Sequence, residues 1–179
     1  MTCSTATGGP ACNAGVCGPA GCESPKVTCG NACCSVYGNP TSLGGTGTYT
    51  GATLCLRPVT VGAAGDLVDI GVIGITPGID VVFGLYADNG GTPGALVAET
   101  GESVLVNGPL LLATPATPVS AASYWIAVEF NGTASVVESP TTTVTAYCAT
   151  LTFSPTLPAT FPAETSYSGR MASWYVLVE

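Results

Sequence analysis

Histidine is absent from the 179-residue chain, and Lys26, Arg57 and Arg170 are its only basic side chains, against eleven acidic ones. Without imidazole, Ser-His and Cys-His nucleophilic systems have no general base, and no His-containing metal triad can form. Three cations in a chain of net charge −8 cannot displace counterions from nucleic acid or recruit anionic lipid. Charge of either sign is scarce, at 8% of residues, where an ordinary soluble domain carries about 25%. Long apolar runs are also missing, so no segment spans a membrane. Met1-Thr2-Cys3 opens without a basic-then-apolar leader. Export then follows removal of a leader or uses a route that needs none.

What replaces charge is Thr, Ser, Gly, Ala and Pro, with 24 glycines and 14 prolines. That composition predicts many turns, few long helices and a neutral, hydroxyl-rich surface with little repulsion between copies. Nine cysteines without a histidine favour an oxidising compartment, and so an extracellular or cell-surface location. Seven lie within the first 34 residues: Cys3, Cys12, Cys17, Cys22, Cys29, Cys33 and Cys34. Their spacings give none of the C-x-x-C pairs that zinc ribbons use, so disulfides are preferred to a metal–thiolate cluster. Seven is odd: internal pairing consumes at most six, leaving one thiol free or bonded to another molecule. Adjacent Cys33 and Cys34 bond each other only through a strained ring, so different partners are the usual outcome.

Three regions follow. Residues 1–40 form a Cys-, Gly- and Pro-rich arm, mostly irregular, that cannot bury enough surface to fold unaided. Residues 41–50, with Gly44, Gly45 and Gly47, read as a flexible hinge. Residues 51–179 carry short β-branched runs separated by turn signals, with alternation clearest at Tyr124, Ile126, Val128 and Phe130. Asn89-Gly90, Asn107-Gly108 and Asn131-Gly132 mark hairpins. The fold class is all-β, an antiparallel β-sandwich of jelly-roll type. Cys55 and Cys148 sit alone in strand-like segments of this body, either as a disulfide or as buried thiols.

The run Phe83-Gly84-Leu85-Tyr86-Ala87-Asp88-Asn89-Gly90-Gly91-Thr92-Pro93-Gly94-Ala95-Leu96, followed by Tyr124-Trp125-Ile126-Ala127, resembles β-sandwich modules of secreted and surface-displayed bacterial proteins. Leu157-Pro158-Ala159-Thr160-Phe161-Pro162 is similar to their closing segment. The resemblance covers roughly residues 50–179 and implies a fold, with no catalytic residue to carry over. The layout of cysteine-rich arm, glycine hinge and low-charge body is similar to extracellular bacterial filament subunits whose arms lock onto neighbours by disulfides.

Chemistry has little to work with. A glycosidase can run on two carboxylates, but Asp66, Asp69, Asp80, Asp88, Glu99, Glu102, Glu129 and Glu138 fall on turns and sheet faces, and no pair is singled out. No enzyme is expected, and no cofactor beyond a structural calcium ion. Asp88 and Asn89, with Glu99 or Glu102 opposite, supply suitable oxygens for that ion; the competing reading makes Asp88 and Asn89 turn formers only. The expected function is a self-assembling extracellular subunit of a disulfide-stabilised filament or surface layer, partnered by copies of itself. The alternative is an adhesin-type module binding a glycan on Tyr86, Trp125, Tyr167 or Tyr175.

Overall fold

The computed structural model describes residues 10–13 and 16–19 by their backbone, and residues 22, 25–162 and 166–179 with their side chains. Among these residues there is no helix. The strands are β1 (Pro10–Asn13), β2 (Val16–Pro19), β3 (Val27–Cys29), β4 (Ala32–Gly38), β5 (Gly45–Tyr49), β6 (Thr53–Val61), β7 (Gly65–Gly74), β8 (Asp80–Asp88), β9 (Pro93–Glu99), β10 (Ser103–Val104), β11 (Gly108–Val119), β12 (Ala122–Phe130), β13 (Ala134–Thr150), β14 (Ser166–Ala172) and β15 (Trp174–Val178). β1 and β2 pair with each other, and the remaining strands form one 13-stranded antiparallel network. Its path is β10-β8-β12-β6-β13-β7-β15-β4-β3, with β9 on β8, β11 on β7, and β5 and β14 on β13.

Side-chain alternation explains how the two ends of this open network pack face to face. One face of β12 (Tyr124, Ile126, Val128, Phe130), of β8 (Val81, Phe83, Leu85) and of β6 (Val59, Val61) packs against Leu67, Ile70 and Val72 of β7 and Trp174, Val176 and Val178 of β15. This is the main core, where each fully buried large side chain contributes about 1.5–3 kcal/mol. The opposite face of β6, β8 and β12 is apolar too. Leu54, Leu56, Val82, Tyr86, Trp125 and Ala127 lie beneath Leu151, Phe153, Leu157 and Phe161 of the connection to β14. Burial on both faces is why these strands read as nearly continuous apolar runs.

Strand β13 joins the halves of the network. Its residues 134–138 pair with β5, and its residues 143–150 pair with β14 and β6. The strand runs without interruption, and its change of partners falls at a register shift between Glu138 and Thr143. Ser139 Oγ accepts hydrogen bonds from the Thr142 N–H at 2.9 Å and the Thr141 N–H at 3.3 Å, a local substitute for ladder bonds.

Two expectations need correction. Among the described residues of the arm, strands β1–β4 supply regular structure, and β4 pairs with β15 in the body. The segment 41–50 is not simply a hinge, since Gly45–Tyr49 is strand β5, in register with Glu138–Ala134. Its glycines serve close approach instead of freedom. A Cβ on Gly47 would enter the Glu138 side chain, and one on Gly45 would enter the β13 backbone. Tyr49 then closes the strand in the main core.

Candidate functional site

The arm's root is built from two disulfides. Cys33 and Cys34 leave β4 toward different partners, forming Cys22–Cys33 and Cys29–Cys34. Residues 35–38 of β4 pair with β15, while residues 32–34 pair with β3. Cys34 and Cys29 pack with Val36 and Val68 over Tyr175 and Leu177, so the stapled hairpin caps a small apolar cluster on the body. A third disulfide, Cys55–Cys148, joins directly opposed residues of β6 and β13. Every cysteine described with its side chain is therefore paired. Cys3 and the side chains of Cys12 and Cys17 lie outside the described residues; the backbones of Cys12 and Cys17 face each other across the β1–β2 pair. Three disulfides fit an oxidising, extracellular setting. No helix among the described residues is long and apolar enough to cross a membrane.

Beside the third disulfide lies a groove of about 430 Å³ between β5 and β14. Its floor is a buried ion pair, Arg57 to Glu138 at 3.3 Å. Period-2 alternation puts Arg57 on the inward face with Cys55 and Val59, and Glu138 inward with Val136 and Ala134. Arg57 donates from Nε to the Arg170 carbonyl at 2.8 Å and from one terminal nitrogen to the Leu56 carbonyl at 3.0 Å and the Tyr167 hydroxyl at 3.3 Å. The other terminal nitrogen donates to the Tyr49 hydroxyl at 2.9 Å and to Glu138. Tyr49 in turn donates to the same Glu138 oxygen. Rings of Tyr49, Tyr167 and Trp174 stack within 5.4–5.7 Å of the guanidinium.

Burial works against the Arg57 charge, but Tyr49, Tyr167 and Glu138 outweigh it and hold its pKa above the ordinary value. Burial first, and then Glu138, pushes the Tyr49 phenol well up against the opposing pull of Arg57, so it stays a donor. All five guanidinium N–H groups have a protein acceptor, which leaves Arg57 nothing to offer a ligand. The cluster binds β5, β6, β13 and β14 together.

The four oxygen-bearing residues proposed for calcium are not gathered. Asp88 accepts from Trp125 Nε1 at 2.7 Å and from the Gly91 N–H at 2.9 Å, so both its oxygens are used within the hairpin. The Asn89 carbonyl accepts from the Thr92 hydroxyl at 2.8 Å while Gly90 and Gly91 take φ of 65° and 89°. Glu99 lies opposite Gly84, well along the strand pair from Asp88, and accepts from the Leu157 N–H at 2.6 Å. Glu102 is exposed in the following turn. No three Cys, Asp or Glu converge on a metal-sized site among the described residues. Of the four aromatics considered for glycan stacking, Tyr86, Trp125 and Tyr175 are buried and Tyr167 is 43% exposed.

The Arg57–Glu138 pair escaped the sequence reading, although its signal was present. A charged residue inside LCLRPV, on the parity of its buried neighbours, must find an opposite charge on another inward face. No family model, no curated protein and no solved structure matches this chain.

Proposed function

We propose that this chain is an extracellular structural subunit that self-associates into a disulfide-stabilised filament or surface layer. The observation that carries the reading is what remains after the disulfides close. Six cysteines are consumed in three internal pairs. Cys3, Cys12 and Cys17 remain, and an odd set cannot be exhausted by pairing among these 179 residues. The bonding partner for the last thiol is then supplied by a second copy. The stapled β3–β4 hairpin, seated on the body through Cys29, Cys34 and Leu177, supports this role as an anchor that passes load from arm to body.

Further support comes from the strand edges. β11 is an edge strand carrying Pro109, Pro115 and Pro118, which remove donors and discourage pairing. β5 and β14 carry neither proline nor acidic residues. The two kinds of edge differ in how readily they accept a neighbouring strand. The glycan-binding alternative loses three of its four stacking candidates to the interior.

Natively isolated protein run on a denaturing gel without reductant tests the reading. The expected result is material trapped at high mass that collapses to 17.7 kDa with reductant. A single monomer band in both lanes refutes covalent assembly.

A further inference from the structure

The connection 151–162 (LTFSPTLPATFP) contains no charged residue and lies as a strap over the outer face of β6, β8 and β12. Few polar links hold it. The Leu151 N–H donates to the Ala52 carbonyl at 3.3 Å, Leu157 N–H to Glu99, Leu96 N–H to the Ala159 carbonyl at 2.9 Å, Phe161 N–H to the Gly94 carbonyl at 3.5 Å beside a bridge between Ala95 and Thr160, and the Tyr86 hydroxyl to the Pro158 carbonyl at 2.7 Å.

On that same face stands Glu129, 1% exposed, with neither carboxylate oxygen hydrogen-bonded. Its cross-strand neighbours are Leu54 and Val82. Among the described residues, the ionisable groups on this side are Asp80, Tyr86 and Asp88 of β8, Glu99 of β9 and Tyr147 of β13, all acidic; β6 and the strap add none. Arg57 belongs to the opposite face of β6, in the groove beside Glu138. A charge on Glu129 thus has no cation to meet it. Buried orphan carboxylates are rare and call for an explanation.

We propose that the strap is a proton-controlled latch, seated over Glu129 as the carboxylic acid and loosened when Glu129 ionises. Burial raises the Glu129 pKa, and the nearby Ser154 backbone N–H of the strap, outside hydrogen-bond geometry, opposes it more weakly. A raised pKa in the closed form gives a closed state that is fully favoured below the open-form value, about 4.3. Its advantage falls as pH rises, by up to about tenfold per unit, until the closed-form pKa is passed, and is constant beyond. Opening bares an aromatic face of Tyr86, Trp125 and Tyr147.

Hydrogen exchange of the Leu151 and Leu157 amides in the full chain, corrected for intrinsic rates between pH 4 and 8, tests the latch. The wild type should show an opening constant that climbs toward a plateau. E129Q should stay near the low-pH value throughout, and E99Q should open more at every pH while keeping the climb. An identical pH profile in wild type and E129Q overturns the proposal. So does a carboxyl-carbon NMR titration placing wild-type Glu129 in the ordinary glutamate range, a measurement that does not depend on the variant folding.

Discussion

Removing the negative half of the buried pair puts the structural reading of the groove under direct strain. In E138Q the shape is kept and the charge is lost, leaving Arg57 cationic at 5% exposure. Breaking a buried pair by neutralising one partner costs about 3–5 kcal/mol. Here four of the five donors keep acceptors in Arg170, Leu56, Tyr167 and Tyr49. Three rings still face the cation, each contributing about 0.5–2 kcal/mol. The expected loss is therefore at the low end, about 3 kcal/mol, or a fall of about 6–12 °C in Tm for a domain of this size. Replacing both residues by apolar ones, R57M with E138L, removes the uncompensated charge and should return stability to within about 1 kcal/mol of the wild type. Urea unfolding at pH 7 without reductant measures the wild type, E138Q, the singles R57M and E138L and their double variant with disulfides intact. If E138Q loses less than about 1 kcal/mol, or if the double variant is as unstable as the sum of the singles, the pair is not the tie described.

G47A should cost about 1–3 kcal/mol through overpacking against Glu138, whereas G101A, with open space around it, should leave Tm unchanged; equal melting temperatures would restore the hinge reading of residues 41–50. D88A, losing its bonds to Trp125 and Gly91, should cost about 1.5–3 kcal/mol and shift Trp125 fluorescence. A rise in wild-type Tm on adding calcium, absent in D88A, would show that the hairpin holds an ion after all.

The body was legible where alternation was clean. Tyr124 to Phe130 and Val81 to Leu85 announced their inward faces, and Asn89-Gly90 turns the β8–β9 hairpin, whereas Asn107-Gly108 and Asn131-Gly132 join strands that pair elsewhere. Legibility failed where composition and packing pull apart. In GTGTY, glycine signals freedom, yet the strand exists because a bulky neighbour requires the space. In ACCSVYG, few large side chains predict irregular backbone, but covalent pairing and the edge of β15 supply what burial does not. The sequence assigns Glu129 and Glu138 to turns or sheet faces and gives Arg57 no place, since a lone ionisable residue carries no label for its partner. Parity relative to neighbouring apolar residues marks all three as buried.

Cys55–Cys148 closes a covalent ring with a sequence separation of 93 that contains β7 to β12. A protease that nicks the backbone anywhere inside that ring releases no fragment, because both new ends stay tethered through sulfur. The ring contains one basic residue, Arg57, which is buried and followed by Pro58. Lys26 and Arg170, the exposed cleavage points for a trypsin-like enzyme, both lie outside it. Trypsin-like cleavage is therefore confined to the periphery, and the centre keeps its mass even after a single cut.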